Sequence, residues 1–351
     1  MNTTKDLNNM ANFSNTGKTT SPDLSLPGGT RTSGATAARR TRWKFPEVGV
    51  LVLVLIALCV YFSVTSPYFF AGGNLISILE ASAITGIIAI PGTMLLIAGQ
   101  FDLSVGSATA FCGVIMASLI GDHGALIAVL VALAAGLLIG LFNGFLVTIV
   151  GVNALITTLG MLAVLRGLAL VLAGGQTVSF SGFEELGMSR PLLGIPLPAL
   201  LFIILLILAA LIMRFTVFGR SLYAVGSNPI AARLTGIRSR WVLIVAFVGS
   251  GLAAALAGMI LSSQLGGGSP NAASGLELSV ITAIILGGAS LHGGRGTILG
   301  TLVGLLVIAV LNNGLVLLGI SSFYQDVARG TLLIAAISFD QIRGRFMRRS
   351  R

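Results

Sequence analysis

Charge is what this sequence lacks most. Only 9% of its 351 residues are Asp, Glu, Lys or Arg, against roughly a quarter in a soluble globular domain, while 55% are hydrophobic. A chain of that composition cannot cover itself with a water-facing surface, which excludes a soluble enzyme or binding module. Cysteine is almost absent as well. Cys59 and Cys112 lie in apolar runs without CxxC spacing, so no redox pair or zinc site is spelled out and both are read as packing residues. The only histidines are His123 and His292. With them no HExxH, no Ser/His/Asp set and no carboxylate pair on one helix face can be assembled, so the chain is expected to be no enzyme and to hold no catalytic residue, metal or cofactor. Gly17, Lys18 and Thr19 imitate the end of a phosphate-binding loop, but Asn12 stands where that motif needs glycine.

What the chain does have is apolar length and 46 glycines, and small residues let helices approach closely where lipid offers no hydrophobic drive. Residues 1–42, polar and without periodicity, are expected to be a disordered cytoplasmic tail. Residues 43–341 form a transmembrane domain and 342–351 a basic cytoplasmic tail. Apolar runs follow at 46–66, 74–98, 103–121, 125–150, 153–173, 197–213, 241–263, 276–290, 297–318 and 324–340. About 20 residues span the ~30 Å hydrocarbon core, so the expected fold is all-α, a polytopic membrane protein of about ten transmembrane helices. With both termini inside, 18 of the 21 Lys and Arg fall in cytoplasmic segments, as the positive-inside bias requires. His123 and His292 then lie on opposite sides, unable to share a metal.

Spans two to five and seven to ten carry matching fragments in the same order. Gly92 matches Gly258, Asp102-Leu-Ser-Val matches Glu277-Leu-Ser-Val, His123-Gly matches His292-Gly, Asn143-Gly matches Asn313-Gly, and Arg166-Gly matches Arg329-Gly. The two blocks begin on spans of opposite direction, which makes them an inverted internal repeat, a transporter feature. Glu80, Asp102, Asn143, Glu277 and Asn313 are the candidate translocation-path residues. Asp102 and Glu277 each open a helix, as caps or as carboxylates at the mouth of the path. Glu80 lines a polar cavity or pairs with Arg166 or Arg329, or else makes a structural polar contact; the two arginines are expected to snorkel outward. In the long basic loop 214–240, Asn228 can cap and Pro229 can start a short helix over 229–235 that Gly236 ends, a handle for another protein.

Gln100-Phe-Asp-Leu-Ser-Val-Gly-Ser107, Gly226-Ser-Asn-Pro-Ile-Ala-Ala-Arg-Leu-Thr-Gly-Ile237, Leu286-Gly-Gly-Ala-Ser290 with Gly293-Gly-Arg-Gly-Thr297, and Leu311-Asn-Asn-Gly314 together resemble the ribose/xylose/arabinose/autoinducer type permeases of bacterial ABC importers. The likeness runs from about residue 46 to 340. It implies a sugar-import permease, for a pentose, hexose or polyol-like solute, in the bacterial inner membrane. It also implies a dimer with a second copy or a paralogue, a periplasmic binding protein that delivers solute, and a cytoplasmic ATPase subunit that uses the ATP and Mg. The coupling element to that ATPase would be the 226–237 loop, with Asn228, Pro229, Ala232, Arg233, Leu234 and Gly236. Pro229 and Glu80 depart from the residues usual in the family. Branched-chain amino acid and nucleoside permeases share the broad fold and stay as the alternative, ahead of an ion-coupled secondary transporter.

Overall fold

A computed structural model describes residues 47–192 and 194–349; the polar stretch 1–42 and its Gly17-Lys18-Thr19 lie outside the described residues. Helices dominate. The chain enters through α1 (Glu47–Thr65) and α2 (Gly72–Ile97), then runs through α3 (Val105–Phe145), continued as a π-helical stretch over Leu146–Val150, and α4 (Ala154–Leu172). A connection holding β1 (Val178–Ser179) and α5 (Glu185–Met188) leads to α6 (Leu197–Phe215). Two short helices, α7 (Val217–Ser227) and α8 (Pro229–Leu234), precede α9 (Ser239–Leu265). After β2 (Gly267–Gly268) come α10 (Leu276–Leu286), α11 (Ile298–Leu317) and α12 (Ser322–Arg349).

Starts are chemically marked. The Asn153 side chain accepts the Leu155 and Ile156 N–H groups ahead of α4, and Thr297 accepts that of Gly300 ahead of α11, the usual satisfaction of free N-terminal donors. Inside α3, Gly124 has φ 77° and ψ 164°, a conformation open in practice only to glycine. It folds α3 into two limbs, 105–123 and 125–145.

The tightest seam joins both limbs of α3 to α9. Gly113 meets Gly258 and Ser262, while Gly136 and Gly140 meet Gly251 and Phe247. A Cβ at Gly258 would run into the Thr109 carbonyl. On the other side α2 packs on α10 and α11, with Gly92 against Val280 and Ile284. Thus α9 lies on the first limb of α3 at Thr109, seven residues past Asp102, while α2 lies on α10 at Ile284, seven residues past Glu277.

Six helical stretches among the described residues are long and apolar enough to cross a membrane: Gly72–Ile97, Val105–Val150, Ala154–Leu172, Leu197–Phe215, Ser239–Leu265 and Ile298–Leu317, with shorter apolar helices at Gly49–Thr65 and Leu276–Leu286. The expected runs at 103–121 and 125–150 are the two limbs of one helix. The expected run at 276–290 stops at Leu286 after 11 residues, about 16 Å of helix, too short to cross alone. Its first turn sits inside the bundle, where Glu277 packs on Gly106 in the first turn of α3. The all-α expectation also omits one feature, the antiparallel pairing of β1 and β2 through Val178 with Gly268 and Ser179 with Gly267.

The seam makes a testable demand. Gly258→Ala should lower the stability of the purified protein by about 1–3 kcal/mol, because backbone must move to admit the methyl. Gly160→Ala on α4, where a Cβ meets nothing within 4 Å, should be neutral or stabilise by up to about 1 kcal/mol. Thermal melting of both variants in detergent checks the contrast.

Candidate translocation path and docking helix

Three of the five path candidates converge. The Asp102 carboxylate, in the turn between α2 and α3, accepts the Ser104 N–H at 3.0 Å and the Ser104 hydroxyl at 2.6 Å through one oxygen, and the Ser250 hydroxyl at 2.7 Å through the other. Ser250 is near the midpoint of α9. The Asn143 amide, fully buried on the second limb of α3, donates to Ser104 Oγ at 3.0 Å, and its own carbonyl oxygen has no partner. Glu277 stands one helix turn away through its contact with Gly106, and its Oε2 is buried without a hydrogen bond among the described residues. Two helices therefore begin face to face inside the bundle with a carboxylate at each start, where the positive ends of the helix dipoles favour negative charge. Neither carboxylate caps as expected: Asp102 binds a donor ahead of α3, and Glu277 caps nothing.

The other two candidates stand apart. The Asn313 and Asn74 amides exchange hydrogen bonds at 2.7 and 3.0 Å, tying α11 to the start of α2. Glu80 pairs with Arg190 at 3.3 Å, not with Arg166 or Arg329. The reason is topological, since the segment before α6 brings Arg190 over α2. Arg166 does not snorkel either. Its guanidinium donates to the Pro270 carbonyl, in the strap 266–275 between α9 and α10. Arg329 pairs with Asp326 at 3.3 Å and lies beside Gly275 at the other end of the same strap. Both arginines thus serve one segment, whereas inverted equivalents would serve opposite ends, so Arg166-Gly and Arg329-Gly are not repeat partners.

At the end of the bundle holding α8, the expected short helix is present. Asn228 Oδ1 accepts the Ile230 and Ala231 N–H groups at 3.1 and 3.0 Å, and Pro229 occupies the first turn, where no N–H is required. Gly236, with φ 84°, closes the helix by donating to the Arg233 carbonyl at 3.0 Å, and Ile237 N–H reaches Ala232 O at 3.0 Å. Ile230 and Leu234 are 72% and 84% exposed, one helical turn apart, and Arg233 is exposed beside them. Ala232 is buried and packs α8 onto the protein.

Sequence reasoning missed what lies behind α8. Gly226, at the end of α7, fits against the Ile97 carbonyl and Gly294, Gly294 N–H donates to Ile97 O at 2.7 Å, and the Tyr223 hydroxyl donates to Gly296 O at 2.8 Å. The last turn of α7 therefore locks onto the end of α2 and the turn between α10 and α11. The glycine-rich 287–296 stretch was the only signal for it. His123 and His292 are exposed on separate turns. No group of three His, Cys, Asp or Glu that could hold a metal occurs among the described residues.

The strap gives the prediction for this region. Arg166→Ala should remove one charged hydrogen bond, worth roughly 1.5–3 kcal/mol, and should speed amide hydrogen exchange across 266–275 by at least about tenfold while leaving α3 and α9 protected.

Compared with known proteins, residues 74–337 match the family described as the permease component of branched-chain amino acid transport systems. The chain is 40% identical over 299 residues to the ribose import permease protein RbsC of Escherichia coli (strain K12), a match covering 83% of this chain and 92% of that protein. It is 38% identical over 309 residues to the L-arabinose ABC transporter permease protein AraH of Azospirillum brasilense, covering 87% and 91%. With the autoinducer 2 import system permease protein LsrC of Yersinia enterocolitica the identity is 37% over 294 residues, covering 83% and 82%. No solved structure matches.

Proposed function

We infer the function from one premise: the chain belongs to the family of branched-chain amino acid transport system permease components, and within it this chain is the permease of a sugar ABC importer. The observation that carries the sugar reading is the 40% identity to a ribose import permease across 92% of that protein's length, beside an L-arabinose permease at 38%. The chain is a multi-pass membrane protein of that importer family and a transport component, not an enzyme. The solute is a pentose, hexose or related polyol, and ATP with its Mg is used on a separate ATPase subunit. A binding protein on the opposite face delivers the solute, and a second copy or a paralogue completes a dimer.

In this reading α8 is the contact for the ATPase. Its exposed Ile230, Arg233 and Leu234 form the docking face. The α7 lock on Ile97, Gly294 and Gly296 carries a push at α8 into the end of α2, which leads to the Asp102 turn, and into the α10–α11 turn, at the far end of the helix that Glu277 starts. The chain crosses ten times, counting the limbs of α3 separately, including α1 and α12, and taking α10 together with the strap 266–275 that leads into it as one crossing, and its α2–α4 and α9–α12 blocks are inverted copies. The corresponding seats of Gly92 on α10 and Gly258 on α3 support that pairing. The N-terminus, α8 and the C-terminus face the bacterial cytoplasm, supported by the distribution of Lys and Arg.

Two experiments test this. Arg233→Glu and Gly236→Val, the latter opposed by the positive φ, should lower ATP-driven uptake by about tenfold or more and weaken co-purification of the ATPase, while the permease still inserts. Full uptake and association in both variants would remove α8 from the coupling role. In a chain with Cys59 and Cys112 replaced, Leu234→Cys should resist an impermeant thiol reagent in intact cells and Asp122→Cys, exposed near the Gly124 break, should react. The reverse pattern would invert the topology.

A further inference from the structure

Opposite the α8 end, a cleft of about 470 Å³ opens between α2, strap residues 272–274, the start of α10, α11 and α12, within the usual size of small-molecule sites. Its wall is unusually polar for the interior of an apolar bundle, and such groups are kept where they face a cavity or a path. Ser77, Thr85, Ser279, Asn312 and Arg329 all line it. The side chains of Thr85 and Asn312 make no hydrogen bond among the described residues, and neither is a buried orphan, so their polar atoms are open to the cleft. Arg329 Nε is buried without a partner, and the Asn74–Asn313 amide pair fixes the wall beside them.

The charge balance of the cleft is selective. Among the described residues Arg329 is the only ionic group in the lining, and Asp326 neutralises it at 3.3 Å. No carboxylate among the described residues lines the cleft. The ammonium of an amino acid would therefore enter without a counter-charge, a costly loss of hydration, whereas hydroxyl groups can both donate to and accept from an amide, a threonine hydroxyl and a guanidinium.

We propose that this cleft is a solute-binding site for an uncharged polyhydroxylated molecule, with Thr85, Asn312 and Arg329 as its hydrogen-bonding contacts. The proposal rests on the sugar-permease reading and narrows it, because the lining disfavours the amino acids that the family's name mentions. The site lies on the delivery side of the bundle, and the strap, tied by Arg166, lines it on the side of the Asp102 and Glu277 helix starts.

The test uses the whole complex in proteoliposomes, permease with its ATPase and binding protein, with radiolabelled D-ribose, L-arabinose and L-leucine as probes. Thr85→Val, which keeps the side-chain shape, Asn312→Ala and Arg329→Gln should each lower the initial rate of sugar uptake about tenfold, the loss expected for one or two hydrogen bonds, with the ATPase still co-purifying. Wild-type rates in the Thr85 and Asn312 variants would overturn the site while leaving the sugar reading intact. Uptake of leucine and of neither sugar by the unaltered complex would overturn both. Should a variant fail to assemble, Asn312→Cys in a chain free of its native cysteines is labelled with a methanethiosulfonate reagent. Protection by ribose or arabinose supports the site, and labelling unaffected by either sugar overturns it.

Discussion

The backbone contact between α3 and α9 is the constraint on which the rest of the molecule depends. In lipid, helices gain little by hiding apolar side chains from one another, because the tails are equally apolar. Attraction has to come from close atomic contact, and Gly113, Gly136, Gly140, Gly251 and Gly258 supply it by removing the side chains that would hold the two backbones apart. One long helix is thereby fixed along both limbs of a folded partner. That contact holds the α3 start beside Ser250, so Asp102 can reach the Ser250 hydroxyl at 2.7 Å.

Once α9 is fixed on α3, the position of its continuation follows. The strap 266–275 turns back along the first limb of α3, with Gly268 against Gly113 and Ala117 and the Ala273 carbonyl against Gly106, and it delivers α10 into the interior. The short length of α10 is then no defect. A helix that starts in the middle presents its free N–H groups and dipole to the interior, which is how broken helices build solute paths in transporters. At the other end, the α7 lock on Ile97 and Gly294 joins the end of α2 and the turn after α10 to α8. The candidate path and the proposed docking helix are therefore mechanically linked although they lie at different depths.

Much of this was legible in the residues. Asn228, Pro229 and Gly236 specify their short helix through local chemistry alone, so it appeared at 229–234 against an expected 229–235. The apolar runs gave the helix positions for the same reason. Pairings across the chain were not legible. Glu80 is joined to Arg190 by a segment 110 residues away, and the Arg166 contact with Pro270 spans 104; neither spacing leaves a local trace. The Arg-Gly match misled because two identical dipeptides had been pulled to one strap by different helices. The α7 lock was hidden because glycines that fit against a carbonyl look like any others in a chain with 46 of them.

The family assignment and the buried carboxylates make opposite suggestions about the energy source. Glu80 is paired with Arg190, which leaves it poorly suited to carry protons or sodium, whereas Glu277 has a buried oxygen without a partner, the kind of group on which an ion-coupled transporter would rely. The proposed docking face of α8 and the α7 lock onto α2 and the α10–α11 turn favour drive by a separate ATPase. Ribose uptake into proteoliposomes holding the complete complex, measured once with ATP and no ion gradient and once with a proton or sodium gradient and no ATP, decides between them. ATP alone should support accumulation and the gradients alone should not; accumulation driven by a gradient in the absence of ATP would contradict the account.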